Sequence, residues 1–250
     1  MNAVIEALYT EKRAQTPHGD WVPLDESVMP KTHGEMLYHL TRAHGPEAHT
    51  LEIGMAFALS TLYFCQAHKE NGRGLHVAID PYQEASWYGA GRESVKRAGL
   101  EEYLSLIEER SFISLPQLLA EDRKFHVAFI DGNHRFEHTF LDFFYIDRML
   151  HAGGHLVLHD VNFPSVRKVM SLCLALHGEF YSIDRTFMDP PANLFTLLRL
   201  SMHRLRQAPL DLSTAYRMRR ESREECMVLK KIAHRPDSDY DLRWKEYRPF

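Results

Sequence analysis

Residues 50 to 60 read Thr50-Leu51-Glu52-Ile53-Gly54-Met55-Ala56-Phe57-Ala58-Leu59-Ser60. A short apolar run stops at a glycine and a set of small residues, and an amphipathic stretch follows. This is the pattern of strand, tight turn and helix that opens a β-α unit. Ligands of open α/β sheets bind outside the carboxyl ends of the strands, where such a turn presents backbone N–H groups. Only Gly54 remains of a glycine-rich fingerprint; Ala56 and Ala58 are small but limit the close backbone approach that glycine permits.

Outward from this turn the same alternation repeats. Strands are predicted at 50–53, 75–79, 104–108, 126–130 and 155–158, with helices near 60–70, 87–97, 115–121, 136–150 and 164–176. Pro116 suits the first turn of its helix, Pro164 opens the next, and Gly99 and Gly153-Gly154 fall where helices end and strands begin. The fold class predicted is therefore α/β: a Rossmann-like, doubly wound, mostly parallel seven-stranded sheet with helices on both faces. Beyond Gly178, the stretches 181–187, 194–200 and 227–232 each read as a strand, and two complete the sheet. We expect 227–232 to be the last strand and about 194–226 to hold a helical insertion. Residues 1–45, with prolines at 23 and 30 and a helical pattern at Met36, Leu37 and Leu40, read as an N-terminal helical extension, a lid or a dimer contact. Residues 46–250 are then the ligand-binding domain.

Composition narrows the function classes. A chain of 250 residues that is 44% hydrophobic can bury one full core. Its apolar stretches fall well short of the roughly 20 residues that span a bilayer, and Met1 to Thr10 has no export pattern, so a cytoplasmic protein is expected. Cys65, Cys173 and Cys226 are widely spaced, without a Cys-x-x-Cys pair, and read as buried thiols rather than a disulfide framework or zinc knuckle. The net charge of -4 hides an asymmetry: residues 199–250 hold 13 basic and 8 acidic residues, against 17 and 26 before them. Because arginines mix with acids through 216–231, a solvated helix with ion pairs explains the tail better than a nucleic-acid surface.

Polar residues at successive strand ends carry the chemistry. Asp80, followed by Pro81-Tyr82, ends the second strand, where an acid can accept hydrogen bonds from both hydroxyls of a ribose. Standing alone it also suits a turn. Ser111, after Glu109-Arg110, caps the next helix or borders an adenine ring. The fourth strand delivers Asp131-Gly132-Asn133-His134-Arg135 and the fifth His159-Asp160-Val161-Asn162. Adjacent strand ends share one cleft, so these carboxylates and imidazoles can bind a divalent ion, orient an acceptor hydroxyl or take its proton. Asp131 can instead cap the following helix, and His159 can be a hydrogen-bonded core residue.

Together, Leu51-Glu52-Ile53-Gly54, Ile79-Asp80-Pro81, Phe129-Ile130-Asp131-Gly132-Asn133-His134, and Gly153-Gly154 through His159-Asp160 resemble the class I S-adenosylmethionine-dependent methyltransferases. The nearest group is the small-molecule O-methyltransferases with an Asp-Gly-Asp/Asn-His motif at the fourth strand. The resemblance covers about residues 30–180. It implies S-adenosylmethionine as cofactor, bound around Glu52, Gly54, Ala56, Ser60, Asp80, Tyr82, Ser111 and Asp131, with Glu52 and Gly54 at its methionine end. It also implies a homodimer and a small-molecule acceptor. In metal-dependent relatives an acid at the position of Asp131 and a pair of acids on the fifth strand hold magnesium. Here the pair reads His159-Asp160, which leaves Asp131 and Asp160 as the carboxylate ligands and suits a softer ion, or an imidazole base without a metal. His134 is the expected base, with Asp131 and Asp160 positioning the acceptor; His159 and His138 are alternatives.

Three other readings compete. A NAD-dependent oxidoreductase lacks an evident hydride-transfer pair here, and a non-catalytic cofactor-binding module accommodates Ala56, Ala58 and His159. A nucleic-acid methyltransferase lacks its usual Asn-Pro-Pro-Tyr or Pro-Cys motif, since Asp189-Pro190-Pro191 follows the fifth strand rather than the fourth.

Overall fold

The computed structural model describes residues 2–24, 28–186 and 226–234. The first half of the order is α1 (Ala3–Glu11), β1 (Arg13–Gln15), β2 (Trp21–Pro23), α2 (Lys31–Ala43), β3 (His49–Ile53), α3 (Leu59–Asn71), β4 (Leu75–Ile79), α4 (Ala90–Arg97) and β5 (Leu104–Ile107). It continues with α5 (Ser111–Ala120), β6 (Phe125–Ile130), α6 (Phe136–Met149), β7 (Leu150–His159), α7 (Pro164–His177), β8 (Tyr181–Ile183) and β9 (Cys226–Lys231). Seven strands form one sheet in the order β5-β4-β3-β6-β7-β9-β8. Pairing is parallel from β5 to β7, and β9 runs antiparallel between β7 and β8. This is a Rossmann-like, doubly wound α/β fold.

The chain winds outward from β3 to β5 on one side and from β6 onward on the other, so the crevice at the β3/β6 junction is the topological switch point. Both faces of the sheet are covered, and the two-residue side-chain period sorts the strands onto two cores. Leu51, Ile53, Ala128 and Ile130 pack with α5, α6 and α7, whereas Val127 and Phe129 pack with Tyr63 and Phe64 of α3.

Strand and helix placement follow the sequence expectations with differences that have local causes. Helix α5 begins at Ser111, so Pro116 sits in its interior rather than its first turn. Helix α4 begins only at Ala90, because 81–89 are occupied by turns. Gly153 and Gly154 lie inside β7: between Phe125 and Val127 on β6, the partner advances from Leu150 to His155, and Gly153 absorbs the irregularity at φ 85°. The last strand is β9, and β8 supplies the other strand expected beyond Gly178. The expected insertion at about 194–226 lies outside the described residues except for Cys226, which begins β9.

The N-terminal segment contains the β1–β2 hairpin as well as helices, and it packs into the domain. Ile5, Leu8, Leu24, Leu37 and Leu40 join the core that holds α3. Gly34 is what lets α2 lie against α3, since a side chain there would fall within the ring of the fully buried Tyr63. Gly34→Ala is expected to destabilise the fold by about 1–3 kcal/mol through overpacking, read as a lower urea midpoint at unchanged slope. An unaltered midpoint would mean that α2 is not seated there. All three cysteines are free and buried. Among the described residues, no helix is long and apolar enough to cross a membrane.

Candidate functional site

The cleft is laced together at the strand ends. Gly54 N–H donates to Ile79 O (2.9 Å), Asp131 N–H to Ile53 O (2.9 Å) and Asp80 N–H to Ile107 O (3.0 Å). Gly54 adopts φ 92°, and a side chain on it would strike the Asp131 carbonyl. Glycine is therefore required where β3 meets β6. Ala56 (φ 46°) and Ala58 (φ 69°) take the same left-handed region without being glycine, which concentrates backbone strain in the turn that faces the cleft.

Asp80 fixes this turn from β4. Its Oδ2 accepts from the N–H groups of Met55 (3.1 Å) and Ala56 (2.8 Å) and from Gln83 Nε2 (3.2 Å), while Oδ1 accepts from Tyr82 N–H (2.8 Å). Gln83 also donates to the Ala56 carbonyl (2.9 Å) and is fully buried. Sequence reasoning missed Gln83, for a lone glutamine in a polar turn carries no periodic signal.

Two cavities open above the strand ends. One, of about 440 Å³, is lined by Ile53, Asp80, Tyr82, Ser111, Phe112 and His138, among others. The second, of about 520 Å³, is lined by Met29, Phe57, Ser60, His134, His159 and Asp160, among others. They share Gly54, Ala56, Trp87, Asp131 and Gly132, so Asp131 stands where one passes into the other. Each is within the size range of small-molecule sites.

The second cavity contains the polar cluster. His134 Nε2 lies 2.9 Å from Asp160 Oδ2 and 3.7 Å from Asp131 Oδ1, and His159 Nδ1 lies 3.1 Å and 3.4 Å from the same two oxygens of Asp131 and Asp160. Behind His159, its Nε2 meets Nδ1 of His33, from the first turn of α2, at 3.2 Å. The ring of His134 stacks on Phe163 with centroids 4.9 Å apart. Asp131 and Asp160 together raise the His134 pKa to about 9 against the opposing effect of burial. Burial works against protonation of His159 more strongly, yet the same carboxylates carry its pKa to about 10. Asp160, which burial alone would push up, is held well below the usual carboxylate range by the two imidazoles.

The two carboxylates thus favour the protonated form of both imidazoles, a charge state that the expectation of His134 or His159 as base did not include. His138 lines the other cavity, against Phe112, away from the cluster. Asp131 does not cap α6; the Asn133 side chain accepts from Arg135 N–H there. Ser111 is the first helical residue of α5 rather than its cap, and its hydroxyl faces the buried carboxyl of Asp142, whose pKa burial raises to about 7. Glu52 lines neither cavity described here. It is fully buried on the α3 side of the sheet, accepting from Ser60 Oγ (2.6 Å) and Thr61 Oγ1, with His76 Nε2 at 3.1 Å. Its part is to anchor the first turn of α3 beneath the cleft. Gly54, Ala56, Ser60, Asp80, Tyr82, Ser111 and Asp131 all line one cavity or both. His33 and Phe163 were not anticipated, as both reach the cluster only through tertiary packing.

A divalent cation suits this donor set. Donor atoms of Asp131, His134 and Asp160 all lie within 4.8 Å of one another, the group among the described residues with this convergence.

Residues 51–161 match the family model described as a methyltransferase domain. Over 110 residues the chain is 32% identical to an Arabidopsis thaliana protein provisionally named as a caffeoyl-CoA O-methyltransferase, covering 44% of this chain and 45% of that one. The match thus spans less than half of either protein. Among solved structures, the S-adenosylmethionine complex of the O-methyltransferase TomG from Streptomyces achromogenes superposes with a TM-score of 0.54 at 19% identity, over 64% of this chain and 74% of that one. The O-methyltransferase from Bacillus cereus in complex with SAH gives 0.53 at 19%, over 64% and 76%. SAH-bound PaMTH1 from Podospora anserina gives 0.56 at 14%, over 84% and 82%.

Proposed function

We propose that the chain is a class I S-adenosylmethionine-dependent methyltransferase acting on a hydroxyl of a small molecule, a reading supported by the match of residues 51–161 to the methyltransferase-domain model. The observation that carries this reading is the joined pair of cavities, with Asp80 in one, the carboxylate-imidazole cluster in the other, and Asp131 between them. The smaller cavity has the chemistry for an adenosine group: a strand-end carboxylate and the aromatic surfaces of Tyr82 and Phe112. The turn from Gly54 to Ser60 borders the larger cavity and would hold the methionine portion. An acceptor would lie against Phe57, Met29 and the cluster.

Methyl transfer to oxygen is an in-line displacement at a carbon already activated by the sulfonium, so alignment of the partners supplies much of the rate. The cluster adds charge complementarity. Asp131 and Asp160 accept the acceptor's hydroxyl proton or hydrogen bond, and the imidazolium of His134 stabilises the oxyanion that develops as the proton leaves. A divalent ion held by Asp131, Asp160 and the neutral imidazole of His134 would take the place of the imidazolium charge, lowering the hydroxyl pKa and fixing its oxygen.

Isothermal titration with S-adenosylhomocysteine tests this reading. Binding is expected in the micromolar range and is expected to weaken at least about tenfold in Asp80→Ala, which removes charge-assisted hydrogen bonds and frees the Gly54–Ala56 turn. Asp80→Asn, which keeps an acceptor oxygen, should retain part of the affinity. Absence of any binding to the wild-type chain overturns the proposal.

A further inference from the structure

Helix α6 supports one wall of the smaller cavity from behind, at two points. Its His138 ring lies against Phe112 of α5 with centroids 5.8 Å apart, and one turn further along α6 the carboxyl of Asp142 meets the Ser111 hydroxyl. Arg110, Ser111, Phe112 and His138 line the cavity, whereas Asp142 lies behind them at 1% exposure. We propose that Asp142 is a positioning residue for the cofactor: its buried carboxylate holds the first turn of α5 in place, so that cofactor affinity follows the charge of a side chain that never touches the cofactor. The inference rests on the methyltransferase reading for the identity of the ligand.

The two buried carboxyls of α6 differ in what surrounds them. Asp147 accepts from Tyr181 Oη at 2.7 Å and from Lys231 Nζ at 3.1 Å, and so ties β8 and β9 to the helix. Burial opposes its charge, yet these partners hold its pKa below the ordinary value. Asp142 has no such network. Its Oδ1 is buried without a hydrogen bond, and among the described residues Ser111 is the group that offsets burial, with no charged side chain adding to either side. Burial therefore raises its pKa to about 7. An apolar side chain would fill this helix contact without that cost, which makes a purely structural role for a carboxyl here a poor one.

The start of α5 supplies the role. Arg110 stands at its N-cap with extended backbone and makes no capping hydrogen bond with its side chain. The first intrahelical bonds run from the N–H groups of Ile113 and Ser114 to the Arg110 carbonyl, at 2.9 and 3.1 Å, so the N–H groups of Ser111 and Phe112 precede them. A carboxylate beside Ser111 is favoured by this positive end of the helix and draws it onto α6. It also accepts the Ser111 hydroxyl more strongly than a neutral carboxyl does. Protonation weakens both ties and loosens the turn that presents Arg110, Ser111 and Phe112 to the cavity. Cofactor binding thus favours loss of the Asp142 proton, and affinity rises with pH through 7.

The test is calorimetric titration of the full chain with S-adenosylhomocysteine at pH 6 and pH 8. Wild type is expected to bind about three- to tenfold more tightly at pH 8, tenfold corresponding to a change of about one unit in the Asp142 pKa on binding. Asp142→Asn keeps the shape without the charge, and should bind at both pH values with about the affinity of wild type at pH 6. Ser111→Ala cuts the link and should lose most of the pH dependence. Circular dichroism verifies the fold of each variant. A pH dependence that persists unaltered in Asp142→Asn, or an equal loss of affinity at both pH values, overturns the proposal. If Asp142→Asn does not fold, carbon NMR of the wild-type Asp142 carboxyl decides: a pKa lowered by the cofactor supports the proposal, and an unmoved one overturns it. Wild type that binds no S-adenosylhomocysteine sinks the methyltransferase reading and this inference together, whereas binding indifferent to Asp142 sinks this inference alone.

Discussion

Asp131→Asn is expected to lower kcat for methyl transfer by about 10³-fold while leaving S-adenosylhomocysteine affinity within about tenfold, the first figure lying mid-range for loss of a positioned proton acceptor. The asymmetry follows from position. Asp131 stands at the passage between the two cavities, yet its carboxylate oxygen lies against His159 at 3.1 Å and His134 at 3.7 Å, on the cluster side. Asparagine keeps the shape and removes the charge. Both imidazoles would then share the single carboxylate of Asp160, and the acceptor hydroxyl would lose its best-placed partner. The measurement is formation of S-adenosylhomocysteine with an acceptor first identified on the wild-type enzyme, beside calorimetric cofactor binding. Undiminished kcat would remove Asp131 from the chemistry; a loss confined to cofactor affinity would move its role to the adenosyl side.

The histidines at the opposite, amino-terminal ends of the sheet strands are expected to withdraw their contribution to stability as pH falls from 6.5 to 4. His44, at the end of α2, meets His155 of β7 (Nε2 to Nδ1, 3.1 Å), which pairs with Asp184 at 3.4 Å. The His126 ring lies tilted against His44 and the His151 ring tilted against His126, and Lys230 of β9 adds a like charge. Burial, followed by the charges of His155, His126, Lys230 and His151, lowers the His44 pKa from 6.5 to about 4. Burial, followed by His76, His49 and His126, lowers His68 from 6.5 to about 3.

These histidines are neutral in the fold and protonate freely once unfolded. Their contribution is thus complete above pH 6.5 and is lost as pH falls through 6.5 toward 4 and 3. At pH 5 the two together should cost about 3 kcal/mol, discounted for the partial exposure of His44. His134, His159 and Asp142, whose pKa values are raised, gain stability over the same range, so the check is a difference: urea denaturation of wild type and His44→Gln at pH 7.5 and 5.0, in which the variant is expected to keep more of its stability at pH 5.0 than the wild type does. The same pH dependence in both proteins would refute the account.

Much of the fold was legible because it rests on local pattern. The runs at 50–53, 75–79 and 126–130 are short, largely buried and mostly apolar, with Thr50, Glu52 and His76 as polar residues among them, and each is followed by a helical period. The last strand at 227–232 was readable for the same reason and proved to be Cys226–Lys231. Local pattern was less reliable at element starts. Ser111 and Pro116 both suggested a helix opening, yet tertiary packing of Leu115 and Leu118 set the position of α5 and placed its start at Ser111.

The site was legible in part. Asp80, Asp131, His134, His159 and Asp160 announced themselves as polar residues closing apolar strands, where a charge without a role is unfavourable. Glu52 did not separate from them in that reading, although its place between Leu51 and Ile53, within a strand buried on both faces, is the feature that turns it away from the cleft and toward Ser60 and Thr61.

By itself, then, the amino-acid order determined a doubly wound α/β sheet with acids and imidazoles at the ends of its strands, because side-chain periodicity and strand-end polarity are properties of neighbours along the chain. Only the tertiary structure decided which of those groups meet. Parallel pairing sets Thr50 opposite Val127, joining the Gly54 turn to Asp131, and the packing of α2 on α3 carries His33 to within 3.2 Å of His159. The bias of His134 and His159 toward the protonated form arises there too. An imidazole's charge depends on the field of groups around it in space, and the two carboxylates that set that field come from different strands.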